Sequence, residues 1–375
     1  MSVNMGNVLG LIFANMHDMT VGDLTKNRTM GSVLFGGRYR MIDFVLSSMT
    51  NSGVDEVGVV TKSNYQSLLD HLGSGREWDM ARKIGGLHLL PPFSNIASGI
   101  YRGRLEALYG ITDFIKCSAA DYVIMSDCDV VASFDYDAIF EAHVKSGADI
   151  TAVYARATLD QDAAVHSNIF GIDDNGRINN VLINPQLSGE CNVALNTYII
   201  SKDLLVNIIT DGAAKGHYSF AKTILQGRCN EFDIRAYEYK GYFSKITSIK
   251  TYYDANMALL STENRKALFL ENNPIYTKIR DNPPAKLAIG AKVRNSLVAD
   301  GCIIEGTVEN SILFRGVKVG KGSVVRNAIV MQDTCVGRNC TLDSVITDKQ
   351  VIITDGKILT GSSNYPICIG KAAQI

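Results

Sequence analysis

The 375-residue sequence has almost no net charge, with 37 lysines and arginines against 38 aspartates and glutamates. No global field therefore favours a nucleic acid or an anionic membrane, and any anion site must be a local cluster. No apolar run approaches the roughly 18 residues of a membrane span, and Met1 to Gly10 lacks a basic region followed by an apolar stretch. These absences predict a soluble, cytoplasmic chain. The eight cysteines (Cys117, Cys128, Cys191, Cys229, Cys302, Cys335, Cys340, Cys368) include no CxxC pair and no histidine at ligand spacing. That argues for reduced thiols over zinc or disulfides. The six histidines (His17, His71, His88, His143, His166, His217) show no metal or triad pattern and read as surface or helix-edge residues.

What is present is a large core and two kinds of pattern. With 46% hydrophobic and 20% charged residues and a mean hydropathy of +0.06, the chain is globular, and its length suits two or three domains. The first half alternates β-rich runs (Val8 to Ala14, Asp55 to Thr61, Asp121 to Met125, Asp149 to Tyr154) with helical stretches (Met41 to Asn51, Tyr65 to His71, Leu105 to Phe114, Tyr136 to Ser146). This order predicts an α/β domain, a mostly parallel sheet flanked by helices. Ligands bind such sheets at the carboxyl ends of the strands, so the loops after Ala14 and Met125 are candidate sites. The aromatic run from Tyr237 to Tyr253 reads as core-building strands rather than a base-stacking surface.

From about Lys286 helical periodicity stops. A tripeptide of Asn or Asp, a small residue and an aliphatic recurs at Asn295, Asn310, Asn327 and Asp343, at intervals of 15, 17 and 16 residues. Aliphatic pairs six apart accompany it: Val298 and Ile304, Leu313 and Val319, Val330 and Val336. That is the period of a hexapeptide β-helix, with an irregular last coil in which Ile346 and Ile353 are seven apart. Pro283-Pro284 marks the boundary, and Asp254 to Leu270 reads as a helix leading to it. The predicted domains are 1–255 (α/β), 256–285 (helical linker) and 286–375 (left-handed β-helix). A coil stack has open ends, so self-association as a dimer or tetramer is expected.

Several long motifs then point to a family. Leu24-Thr25-Lys26-Asn27-Arg28, the run Phe35-Gly36-Gly37-Arg38-Tyr39-Arg40-Met41-Ile42-Asp43-Phe44, Asn51-Ser52-Gly53, Gly85 to Pro92, Tyr101-Arg102-Gly103 and Tyr253 to Met257, with the β-helix behind them, closely resemble bacterial glucose-1-phosphate adenylyltransferase. The resemblance covers nearly the whole chain and implies a nucleotidyltransferase-like α/β domain. It also implies a reaction joining glucose-1-phosphate to ATP, giving ADP-glucose and pyrophosphate for glycogen synthesis. Such transfer needs close backbone approach to the triphosphate, cations on the leaving pyrophosphate and carboxylates on Mg²⁺.

Residue by residue, this sequence departs from those needs. In the aligned phosphate loop Asn15, Met16 and Asp18 replace glycines and Thr20 replaces an arginine, while Met30 replaces a lysine. Asn184, in Ile183-Asn184-Pro185, replaces the lysine of the sugar-phosphate motif. Of two metal-binding carboxylates, Asp129 survives as a remnant and Lys245 stands at the other, and an ammonium cannot ligate Mg²⁺. Any single departure can be drift, but all of them fall on one site. The pattern is similar to the non-catalytic, GlgD-type sister subunit of the family, which implies a regulatory role beside a GlgC-type catalytic partner in a heterotetramer. For this chain it implies no catalytic residue, no metal and no cofactor, with Mg²⁺ needed only in the partner.

Arg28, Arg38 and Arg40 lie in the segment that resembles the family's sugar-phosphate effector site, and the guanidinium fork suits phosphate. The bland alternative for Arg38 and Arg40 is pairing with Asp43 and surface carboxylates. Two other readings stay open: a working nucleotidyltransferase whose metal is held by Asp127 and Asp129, and a β-helix acyltransferase. The second lacks a general base, since no histidine occurs between Lys286 and Ile375.

Overall fold

The computed structural model describes residues 4–92 and 101–375. Strands Gly86–Leu90, Glu56–Val60, Val8–Phe13 and Tyr122–Asp127 lie side by side in parallel. These strands, with Ile234–Glu238 parallel to Ile150–Leu159, are the parallel part of the expected α/β sheet, and antiparallel strands complete its other half. The long strand Gly189–Ser201 runs antiparallel to both Tyr122–Asp127 and Ile150–Leu159, and Asn168–Ile172 and Ile178–Ile183 form an antiparallel pair beyond it. The short turn between Asn168–Ile172 and Ile178–Ile183 leaves no room for the crossover helix that a parallel pair requires. Apolar clusters cover both faces of the sheet, as near-continuous buried runs such as Val8–Phe13 demand.

The expected helix over Asp254 to Leu270 is two helices, Ile249–Ala258 and Thr262–Leu268. Ser261 caps the second, its side chain accepting from Asn264 N, and the Arg265 guanidinium donates to the carbonyls of Leu259 and Leu260 at the break. From there to Lys286 the chain contains no further helix, so the linker is helical only in its first part.

The C-terminal domain is the expected left-handed β-helix, three five-stranded parallel sheets of two- and three-residue strands. Asn295, Asn310 and Asn327 take left-handed φ values of 42, 45 and 46° at successive corners, a conformation that asparagine tolerates. At the next corner Ser344 (φ 54°), rather than Asp343, holds this place, because the register pairs Ile329 with Ile346. The last coil is therefore more regular than expected. Thr347 and Ile353 keep the spacing, with Thr347 in an aliphatic slot and its buried hydroxyl accepting from Met331 N.

The two domains share one core. Ile312, Phe314, Ile329, Met331 and Ile346 on the outside of the β-helix join the cluster that covers one face of the α/β sheet. Tyr253 Oη donates to Asn327 O at 2.6 Å, and Gly36 N to Asn256 Oδ1 at 2.9 Å. All eight cysteines are free thiols, and no helix among the described residues is long and apolar enough to cross a membrane.

Candidate functional site

Val8–Phe13 pairs with Glu56–Val60 on one side and Tyr122–Asp127 on the other, so strand order reverses beside it and a crevice opens at the carboxyl ends, where Phe13 lies opposite Asp127. Both loops singled out in the sequence meet there. The segment after Ala14 is tied down by its own side chains. Asn15 Oδ1 accepts from Lys62 N at 2.8 Å, and its Nδ2 donates to Asp18 Oδ2 at 2.6 Å and to Ser63 O at 3.1 Å. Asp18 Oδ1 accepts from Met30 N at 2.7 Å, and Thr20 Oγ1 donates to His17 O. The Met30 side chain is buried in the core. An internal carboxylate thus already holds the Met30 backbone N–H against the loop after Ala14. Burial pushes the Asp18 pKa up to about 6, although its hydrogen bonds to Asn15 and Met30 oppose the shift.

Beneath this loop lie Asp127 and Asp129, both almost fully buried. Asp127 accepts from Arg104 Nη2 at 2.6 Å, and His17 Nε2 lies 2.8 Å from Asp127 Oδ2 and 3.5 Å from Asp129 Oδ2. Asn196, in a bulge of the long strand with φ 53°, donates to Asp129 Oδ2 at 2.8 Å. Lys245 arrives on the strand Phe243–Lys245, paired with Val130–Ala132, and donates to Ala194 O at 2.7 Å. His17 corrects the surface reading of the histidines, as do His71, buried against Asp43, and His143, buried against Thr151.

The charges are mutually adjusted. Burial disfavours the His17 imidazolium, but Asp129 and Asp127 outweigh it and raise its pKa. Burial likewise works against the Arg104 charge, and Asp127 overcomes it. Asp127 is held below the usual carboxylate range because Arg104 and His17 prevail over its desolvation. Lys245 is pushed down, chiefly by burial, with Asp129 and Asp127 resisting.

His17, Asp127 and Asp129 do offer three ligand atoms within 4.8 Å of one another. A divalent cation there would nonetheless face the Arg104 guanidinium, already on Asp127, and the Lys245 amine. Mg²⁺ prefers several oxygen ligands and uncompensated carboxylates. This side-chain set does not fit it.

A second cluster lies between the domains. A small cleft is lined by Arg38 and Arg40 from the α/β domain, Lys278 and Arg280 from the linker, and Arg315 from the β-helix, with Phe314 and Gln332. Arg40 gives its guanidinium to the Ser67 hydroxyl and carbonyl and only its backbone N–H to Asp43. Burial and the neighbouring Arg28 and Arg280 push its pKa down to about 10 against the pull of Asp43. Arg315 reaches Asp300 at 3.3 Å, whereas Arg38 has no ion pair among the described residues. Lys349, outside this lining, is pushed down to about 7, by burial and then by Arg40 and Arg28. Crowded cations with few acids are the condition for binding an anion.

Arg28 is absent from this lining. Its Nη2 donates to both carboxylate oxygens of Asp348, and both side chains are buried. Asn184 sits exposed in a left-handed turn after Ile178–Ile183. The sequence alone missed His17, Arg104, Asn196, Lys278, Arg280 and Arg315. In Arg102-Gly103-Arg104 nothing marks the second arginine, whose side chain is 10% exposed, from the first, at 65%.

Comparison with known proteins matches residues 21–262 to the Nucleotidyl transferase family and residues 283–362 to the GlmU-like, C-terminal hexapeptide family. The chain is 34% identical to the glycogen biosynthesis protein GlgD of Bacillus subtilis (strain 168), over 97% of this chain and 96% of that protein. It is 36% identical to the protein of the same name from Geobacillus stearothermophilus, over 85% and 82%. It is also 30% identical to glucose-1-phosphate adenylyltransferase of Bacillus cereus (strain ATCC 10987 / NRS 248), over 95% of each.

Proposed function

The chain belongs to the bacterial glucose-1-phosphate adenylyltransferase family and is of its GlgD type, and from that premise we propose that it serves glycogen biosynthesis as a catalytically deficient regulatory subunit. ADP-glucose formation is carried by a GlgC-type partner, and this chain acts through assembly and anion binding. The observation that carries the deficiency is Lys245, an ammonium-bearing side chain beside Asp127 and Asp129 where metal-assisted transfer needs a carboxylate. The cleft of Arg38, Arg40, Lys278, Arg280 and Arg315 supports a sugar-phosphate effector held between the domains. Here Arg28 acts as an interdomain tie and not as an anion ligand.

Assembly is supported by the open end of the β-helix. Leu287 and Ile289 on the first coil are exposed, Ile289 completely, next to the unpaired edge of Lys286–Leu287. We place self-association, as a dimer or tetramer, and the mixed tetramer on this domain.

The second reading, a working transferase with an altered metal site, draws on the closeness of His17, Asp127 and Asp129. One assay separates the two: ADP-glucose formation from ATP and glucose-1-phosphate by the purified chain, alone and with a GlgC-type subunit from the same organism. Background turnover alone and increased turnover of the partner are expected. A rate of order 1 s⁻¹ from the isolated chain, an ordinary enzymatic value, would overturn the proposal.

A further inference from the structure

Two exposed apolar surfaces of this chain carry opposite charge. One is the open end of the β-helix, where Leu287 and Ile289 face solvent beside the unpaired edge of Lys286–Leu287. The first coil, 286–299, contains no acid. Its cations Lys286, Lys292 and Arg294 are exposed and make no ion pair among the described residues. Arg294 does stand opposite Glu309 in the ladder, but Arg326 holds that carboxylate at 3.0 Å.

The other surface is a groove of about 770 Å³ beside the last coil. Here the hairpin closed by the Ser362–Tyr365 bridge meets the start of the helix Ile249–Ala258 and the segment Asp160 to His166. Tyr365 is 84% exposed, and Val165 and Ile249 share the lining. Asp23, Asp160, Asp162 and Asp254 line it as well, against a single lysine, Lys250, which is paired with Asp254. Asp23 and Asp162 make no ion pair among the described residues. An apolar centre with a charged rim and an exposed tyrosine has the anatomy of a protein contact.

We infer that the open first coil of one copy seats in this groove of a second copy, its apolar side chains against Tyr365 and Ile249 and its cations facing the aspartates. Charge complementarity selects the occupant: the acid-free coil and the acid-lined groove belong to the same chain, and each lacks a partner for its excess charge. Every copy carries both surfaces, so a reciprocal exchange uses both and closes the dimer instead of leaving a growing filament. The inference rests on the placing of self-association on the β-helix and names the surface that its open end meets.

Two charge-reversed full-length chains test this, with mass read by light scattering on a sizing column. One carries Lys292→Glu and Arg294→Glu, the other Asp23→Lys and Asp162→Lys, and all four positions are exposed. Each variant alone sets like charge against like and is expected to associate at least about tenfold more weakly than wild type. Mixed, the two offer a native coil to a native groove and a reversed coil to a reversed groove, and association is expected to return. Wild-type association should also weaken several-fold between about 50 and 500 mM NaCl, a measure that decides where a variant does not fold. Salt-independent wild-type association overturns the inference, as does a pair of folded variants that stays apart when mixed. Variants that associate as wild type does, while Leu287→Lys with Ile289→Asp is a monomer, overturn the groove and leave the open end in place. A monomeric wild type overturns self-association itself and the groove with it.

Discussion

Arg28 and Asp348, 320 residues apart in the sequence, form a buried ion pair in which one guanidinium nitrogen lies 2.7 Å from both carboxylate oxygens. The pair joins the segment behind the strand-end loop to the last coils of the β-helix. Removing one member leaves the other charged, buried and unpaired, which costs about 3–5 kcal/mol. Arg28→Met and Asp348→Leu should each lower the unfolding midpoint strongly, whereas the two combined should recover much of the loss. Denaturant unfolding of the four proteins tests this; additive losses would show that the two residues act independently.

The interdomain cleft should bind anions more tightly at lower pH. Lys349 sits near pKa 7 beside Arg40 and Arg28, so the free protein leaves it largely neutral above pH 7. A bound anion favours its charged form, and binding therefore takes up a proton. Sulfate keeps a constant charge over this range, and its affinity, measured calorimetrically, should fall several-fold, about 1 kcal/mol, from pH 6 to 9. Lys349→Met should flatten that profile. An unchanged slope in the variant would show that Lys349 does not act on the cleft through Arg40.

Asp18 should make stability depend on pH in the direction opposite to a paired carboxylate. Its folded pKa of about 6 lies above the ordinary 3.8, so folding favours the protonated form and the penalty grows as pH rises from about 4 to 6. Above that it is constant. Asp18→Asn gives up one hydrogen bond from Asn15 but removes the titration. Relative to wild type, the variant should gain about 1–2 kcal/mol between pH 4 and pH 7. Thermal melts at the two pH values measure it, and parallel shifts would mean that Asp18 titrates normally.

His143 works on the acid side. It is buried, with Nδ1 2.8 Å from Thr151 Oγ1, and burial pushes its pKa down to about 4 despite Asp149. The neutral ring is the folded form, so stability falls as pH drops from 6.5 through 4, by up to roughly 3 kcal/mol. His143→Gln should lose this slope while keeping a partner for Thr151. A variant that still loses stability along the wild-type curve would assign the acid limb elsewhere.

The exposed end of the β-helix should govern association. Leu287→Lys with Ile289→Asp puts opposite charges on the first coil without touching its interior, since both side chains face solvent. Light scattering on a sizing column should then report a monomer where wild type is a dimer or tetramer. An oligomer of unchanged mass would locate the contact on another surface.

Local periodicity is what the sequence carries without help. The β-helix was legible because its rungs repeat every 15 to 17 residues and each corner needs a residue that tolerates positive φ, as Asn295, Asn310 and Asn327 do. The helices Met41–Asn51 and Tyr136–Ser146 were read with correct ends. The long antiparallel strand and the split at Ser261 were not, because strand direction is set by which neighbour completes the sheet and a cap wins only where the turn is packed.

The candidate site divides in the same way. Asp129, Lys245 and the glycine-free loop could be found by type and position, since each departs from an expected chemistry at a known place in the chain. Arg104 and His17 could not, because an arginine or histidine gains its meaning from what lies within about 4 Å, and the partners Asp127 and Asp129 are brought there by strands distant in sequence. Arg28 shows the same limit: sequence placed it with Arg38 and Arg40 as an anion ligand, and folding set it against Asp348. Side-chain type is local information, whereas Coulomb energy depends on distance and burial, and only the tertiary structure sets those.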